Sequence, residues 1–145
     1  PWEYADSQLT PIQRLRIATA ERLNPYHYAY FNAGLLFPPA YRREHEADFE
    51  RMAMEAMRMP QDAEEISLRL NAILSYDTRP FTPYIACPTL IVSARDDQLM
   101  PAWHGRNLAK HIPTSTFIEL EEGGHMIPET QGRQLAVAIM AFLNT

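Results

Sequence analysis

The run from Cys87 to His125 constrains this chain most: CPTLIVSARDDQLMP, a helical stretch, then STFIELEEGGH. Thr89-Leu90-Ile91-Val92 is short, apolar and branched, bounded by Pro88 and by the charged Arg95-Asp96-Asp97. Such a run reads as a buried parallel strand. Pro101 to about His111 reads as a helix, and Thr116-Phe117-Ile118-Glu119-Leu120 as a second strand. Strand, helix, strand in that order is a right-handed βαβ unit. Asp96 and Asp97 then fall just past the carboxyl end of one strand, and Gly123-Gly124-His125 just past the other, where open α/β sheets place their active sites. Two strands make no stable sheet alone, so the unit calls for further strands.

Upstream, the prolines punctuate. The chain has twelve of them against five glycines. Pro11, Pro25, Pro39, Pro60 and Pro101 stand where helices begin, because the first helical turn has no intrahelical use for its N–H. Thr10-Pro11-Ile12-Gln13 reads as a capping box opening a helix to about Leu23. Asn24-Pro25 caps a second helix, rich in aromatics and stopped by Pro38-Pro39. A third runs from about Pro39 to Arg58, with Phe49, Met52, Ala53 and Ala56 on its inner face. Pro60 opens a fourth that buries Ile66, Leu70, Ile73 and Leu74. Arg79 to Pro88 is a connector. After His125, the residues Leu135, Ala138, Ile139 and Phe142 make a last amphipathic helix.

With 145 residues, 46% of them apolar, the chain can form one globular domain with a core. A net charge of -5 with no basic stripe argues against nucleic acid as a partner. No apolar run reaches transmembrane length, so no membrane partner is expected. No signal peptide is visible, and the start at Pro1 has the look of a cut. The single cysteine, Cys87, cannot form an internal disulfide, and a cytoplasmic location is the default. Cys87 reads as a small buried hydrophobe at the strand entry.

Asp97 and His125 together suggest a chemistry. A serine hydroxyl is a weak nucleophile at neutral pH and needs a base, a task that suits histidine. An acid on the other ring nitrogen fixes the tautomer and supports the imidazolium. The interval between the two residues is what one crossover helix plus one strand requires. Taken singly, Asp97 could be a solvated loop acid and His125 a surface turn residue, and Asp96 competes for the acid's role. As a pair at these positions, the catalytic reading is the stronger. None of Ser7, Ser67, Ser75, Ser93 or Ser115 lies in a Gly-x-Ser-x-Gly turn. The nucleophile is therefore expected outside this chain, which alone should be catalytically incomplete; Ser93 reads as structural. His27, His45, His104 and His111 lack metal-ligand spacing, so no metal is expected. His45 reads as solvated and His104 as exposed. Tyr26, Tyr28, Tyr30 and Phe31 read first as core, with one such residue able to reach a pocket. Met52, Met54, Met57 and Met59 fit either an adaptable apolar wall or plain packing. Leu99 and Met126 flank the acid and base and are candidate pocket residues.

From Cys87 to Leu143 the chain resembles the C-terminal half of the α/β-hydrolase superfamily. There, a segment P-x-L-hydrophobic-hydrophobic-x-G-x-x-D-x-x-hydrophobic-P carries the triad acid and a later G-H the triad histidine. The acid falls on Asp97, the proline on Pro101 and the histidine on His125 after Gly124; Ala94 stands where glycine is frequent. The resemblance implies an α/β fold in which residues 1–80 form a helical cap and residues 81–145 the C-terminal part of the core, the last βαβα unit of a parallel sheet. Trp2-Glu3, the Tyr30 to Tyr41 stretch with Leu36-Phe37-Pro38, Leu68-Arg69-Leu70-Asn71-Ala72 and Cys87-Pro88 are similar to the aminoacrylate hydrolases of pyrimidine degradation. Met126-Ile127-Pro128-Glu129 is closer to generic hydrolases, so enol-lactone hydrolases, C–C bond hydrolases and esterases stay open. The implied activity is hydrolysis of a small polar metabolite by a nucleophile–His125–Asp97 triad, with Leu99, Met126 and Tyr30 at the substrate and no cofactor. The rival from another class is a non-catalytic ligand-binding or assembly module. Either reading expects self-association or pairing with an N-terminal half through the open sheet edge.

Overall fold

The computed structural model describes residues 2–59 and 61–144. Helices α1 (Leu9–Ala20), α2 (Pro25–Leu36), α3 (Pro39–Glu44), α4 (Glu46–Ala56) and α5 (Ala63–Ser75) come first. Then follow β1 (Thr89–Ala94), α6 (Ala102–His111), β2 (Ser115–Leu120), α7 (Ile127–Thr130) and α8 (Gly132–Leu143). The strands pair in parallel, in register from Thr89 opposite Ser115 to Ala94 opposite Leu120. The expected strand–helix–strand order is present, and both strands are slightly longer than their apolar runs.

Local chemistry explains the helix starts, and not always as the sequence suggested. Asp6, not Thr10, opens α1. Its Oδ1 accepts from the Gln8 and Leu9 amides at 3.0 and 2.8 Å, while its carbonyl accepts from Thr10 N at 3.0 Å. That satisfies amides with no intrahelical partner and puts negative charge at the positive end of the helix. Thr10 Oγ1 instead donates back to the Ala5 carbonyl. At α2 the expectation holds: Asn24 Oδ1 accepts from His27 N at 2.9 Å, with Pro25 in the first turn. The single helix expected from Pro39 to Arg58 is two, broken at His45 (φ -115°, ψ 29°). His45 stacks on Tyr41, its ring 4.0 Å away and its Nδ1 donating to the Tyr41 carbonyl. Beyond the break, Phe49 meets Phe37 edge-on at 4.9 Å. Helix α5 is capped by Asp62, whose Oδ1 accepts from Glu65 N. Pro60, expected to open that helix, lies outside the described residues.

One core joins the two halves. Leu9 of α1 and Leu99 and Met100 from the segment after β1 are buried together. Trp2, Ala5, Ile12, Leu36 and Ile73 pack around them. Phe49, Ala53 and Leu70 are buried as their spacing implied, whereas Met52, expected on the same inner face, is exposed, as are Met54, Met57 and Met59. The N-terminal segment is tied down by buried Glu3, whose Oε1 accepts from His111 Nδ1 at 2.8 Å and whose carbonyl accepts from Thr78 N. Other expectations fail as well. Cys87 is exposed, because it precedes the strand rather than entering the core. His104 is 5% exposed, because α6 turns it inward toward Asp6, 3.4 Å from its Nε2. No helix among the described residues is long and apolar enough to cross a membrane.

The crossover helix lies close on the sheet. A Cβ on Gly105 of α6 would fall 2.2 Å from Ser93 Oγ and 3.0 Å from Phe117 Cε2. Gly105→Ala is therefore expected to lower unfolding stability by about 1–3 kcal/mol through overpacking, read from denaturant midpoints. Asp6 gives a pH-dependent expectation. Burial alone would raise its carboxyl, but the Leu9 amide, the Trp103 indole N–H, the charge of His104 and the Gln8 amide outweigh it and hold it below the ordinary value. A folded-state value below the unfolded one gives stability that is present above the unfolded range and lost as pH falls through the folded one. Burial also holds His104 low, against the pull of Asp6, so stability starts to fall where the unfolded histidine first takes its proton. Asp6→Ala should cost about 1 kcal/mol near neutral pH, with parent and variant melting curves converging as pH falls through the carboxylate range.

Candidate active site

Strand β1 ends at Ala94, and the turn that follows carries two aspartates with separate duties. Asp97 is 8% exposed. Its Oδ1 accepts from the Leu99 and Met100 amides at 2.9 and 2.8 Å, and its Oδ2 lies 2.9 Å from His125 Nδ1. A buried carboxylate needs donors, and three are supplied. Asp96 accepts at Oδ1 from Gly124 N at 2.8 Å, a bond to the backbone of the histidine turn.

That turn follows β2. Gly123 has φ 143° and Gly124 φ 60°, values that L side chains rarely adopt. Space also dictates glycine at the second position: a Cβ there would sit 2.8 Å from Pro38 Cδ and 2.9 Å from the Leu36 carbonyl oxygen. The same carbonyl accepts from His125 N at 2.9 Å. Thr130 Oγ1 donates to the Gly123 carbonyl at 2.7 Å. The end of α2, the Asp96 turn and α7 therefore each hold one backbone group around the histidine.

An ionised Asp97 only accepts, so the bond to Nδ1 leaves Nε2 as the ring nitrogen with the lone pair. The His125 side chain is 32% exposed, and among the described residues no hydrogen bond occupies Nε2. Beside it lies a cavity of about 220 Å³, walled by Val92, Ser93, Asp97, His125, Ile127, Pro128 and Leu135. The arrangement can accept a proton at Nε2, return it, and balance the charge on the ring. Among the described residues no group of three or more His, Cys, Asp or Glu side chains is placed to hold a metal ion.

The remaining expected site residues are spread out. Leu99 sends its side chain into the shared core and serves Asp97 through its backbone N–H. Half-buried Met126 follows the histidine and accepts at its carbonyl from the Glu129 and Thr130 amides. Neither lines the cavity at His125. Tyr30 lines a different cavity with Arg42, Arg43, Glu46 and Phe49. Its hydroxyl donates to Glu50 Oε2 at 2.7 Å, a carboxylate shared with Tyr26, and Glu50 pushes that hydroxyl up. Ser93 is buried, and its Oγ packs toward Gly105 with no hydrogen-bond partner among the described residues. Sequence reasoning missed Asp96 as a backbone partner, and Leu36 and Pro38 as the wall of the histidine turn. The doubled glycine before His125 was the available signal that something packs against that turn.

Comparison with known proteins bears on the fold. No protein-family profile matches the chain. It is 27% identical over 146 residues to "Putative carbamate hydrolase RutD" of Acinetobacter baylyi, covering 99% of this chain and 55% of that protein. The RutD protein of Pseudomonas syringae is 34% identical over 84 residues, 58% of this chain and 32% of its own length. The chain thus spans about half the length of the curated relatives it matches end to end. Among solved structures, an α/β hydrolase from a Medee basin deep-sea metagenome superposes with a TM-score of 0.89 at 16% identity, over 100% of this chain and 54% of its own. The enol-lactonase of Burkholderia xenovorans gives 0.79 at 21% identity, over 93% and 51%. The fold is that of about half an α/β hydrolase: among the described residues, five helices, then a parallel strand–helix–strand unit and two closing helices.

Because Asp97 sets which ring nitrogen carries the proton, Asp97→Asn should move the neutral imidazole toward its other tautomer. Nitrogen-15 NMR of labelled histidine reads this directly; an unchanged Nδ1–H signal would show that the tautomer is set elsewhere.

Proposed function

We propose that this α/β-hydrolase chain supplies the general base and its orienting acid to a hydrolase acting on small polar compounds with a hydrolysable C–N bond, with aminoacrylate as the substrate. The observation that carries the reading is the 2.9 Å bond between buried Asp97 and His125 Nδ1, in a histidine whose side chain also walls a small cavity. Relatives carrying a carbamate hydrolase name point to C–N hydrolysis, and the sequence pattern points to aminoacrylate. Both substrates release ammonia, and both are small enough for a cavity of about 220 Å³.

In this reading residues 1–80 form the cap, residues 81–145 the acid- and base-bearing part of the core, and a nucleophile from the remainder of the longer protein completes the site. Aminoacrylate first takes a proton at the carbon beside its carboxylate, which turns the enamine into the imine. His125 Nε2 takes a proton from the attacking water as the water oxygen adds to the imine carbon. The imidazolium gives that proton to the nitrogen, the C–N bond breaks as the new hydroxyl loses its own proton, and ammonia and malonic semialdehyde remain. Asp97 holds the ring during both transfers and stabilises its charged form. Proton transfer by a placed histidine contributes roughly 10²–10⁴-fold. A role in pyrimidine degradation goes with that substrate, and a cytoplasmic location is part of the same proposal. No cofactor takes part in this scheme.

The test uses the protein at its full natural length. Parent protein should release ammonia from freshly generated aminoacrylate, and His125→Ala should lower kcat by about 10³-fold or more. Unchanged turnover in His125→Ala would remove the histidine from the chemistry. Activity on carbamate with none on aminoacrylate would replace the substrate and keep the base.

A further inference from the structure

We infer that Asp96 is a positioning residue for His125, acting through the backbone of Gly124; its kinetic consequence rests on the hydrolase reading above, its structural one does not. A histidine base is aimed by two things: the bond on its ring and the placement of its own backbone. Asp97 supplies the first. The second depends on Gly123 and Gly124, at φ 143° and 60°. Glycine makes that turn accessible, but it does not hold it, because glycine has the most freedom to lose. External bonds must do so. The Leu36 carbonyl takes the His125 amide at 2.9 Å, Thr130 Oγ1 donates to the Gly123 carbonyl at 2.7 Å, and Asp96 Oδ1 takes the Gly124 amide at 2.8 Å.

Of these three, Asp96 alone brings a formal charge, and charge-assisted bonds are the stronger kind. It is also the chain neighbour of Asp97. The acid that holds the ring and the acid that holds the backbone thus stand on one turn at the end of β1. Strand β2 reaches that turn through the last pair of the ladder, Ala94 opposite Leu120, and through Arg95 N donating to the Leu120 carbonyl at 2.8 Å. Any shift of the turn carries both carboxylates together, so ring and backbone stay matched. Two adjacent carboxylates repel, and here each is committed to its own donors.

The experiment compares Asp96→Ala with Asp96→Asn in the protein at its full natural length. Asparagine keeps an oxygen that can accept from Gly124 N; alanine does not. Asp96→Ala should lose kcat by about 10–100-fold with KM nearly unchanged, as expected for a misplaced catalytic group, and Asp96→Asn should restore most of it. In parallel, amide hydrogen exchange should show Gly124 losing protection in the alanine variant alone, with the Leu99 and Met100 amides still protected. Asparagine as defective as alanine would overturn the proposal, since charge rather than the bond would then matter. So would parent-like kcat or parent-like Gly124 protection in Asp96→Ala. If parent protein shows no turnover, the function fails and the exchange comparison alone decides the positioning role. If alanine does not fold, Asp96→Ser, too short to reach Gly124 N, takes its place with the same expected losses and the same overturning results.

Discussion

A carboxylate shielded from water has to be met by donors, and the way Asp97 meets that requirement organises the rest of the molecule. A buried charge left without partners costs several kcal/mol, on the order of 3–5. Two of Asp97's three donors are the amides of Leu99 and Met100, whose side chains sit in the core with Leu9 of α1. The hydrophobic contact between the helical half and the sheet half therefore holds the amides that hold the acid. Packing and polar geometry at this point are one constraint: loosening the core around Leu99 loosens the hydrogen bonds of Asp97, and with them the ring of His125.

The histidine turn shows the complementary arrangement. Nothing in Gly123-Gly124 selects its conformation locally, so the selection comes from contacts distant in sequence. The Leu36 carbonyl, left at the end of α2 where helix carbonyls lack intrahelical donors, finds one in His125 N. Pro38 fills the space where a side chain at residue 124 would stand. The kink that ends α2 thereby becomes the surface against which the base is set.

Much of this was legible in the sequence, for reasons that differ by element. The strands, the crossover helix and the Asp97–His125 pair could be read because period, bounding charges and order along the chain are local signals. The cap of α2 could be read from Asn24-Pro25 for the same reason. What escaped depended on tertiary contacts. Thr10 looked like the cap of α1, but Asp6, four residues earlier, engages the amides because it also reaches Trp103 and lies against His104. The third helix looked continuous, but Tyr41 and Phe49 pull its two parts onto Phe37 around a break at His45. Tyr30 does line a cavity, but not the one at His125, and Glu50, twenty residues on, takes its hydroxyl. Asp96 could be seen only as a rival to Asp97, since a bond to a backbone amide leaves no trace in residue types.

The bond from His125 N to the Leu36 carbonyl bears on how chains of this fold could be recombined. In the proposed reading the helical segment overlies the binding region while the sheet carries the acid and the base, which makes helical segments natural units to exchange when a new substrate is wanted. Here an exchanged insert would take residue 36 with it and bring a foreign acceptor to the amide of the base. Chimeras of this chain would inherit a re-aimed imidazole along with their new specificity. A graft that keeps the Leu36-Phe37-Pro38 bend with the recipient core would spare the base that disturbance.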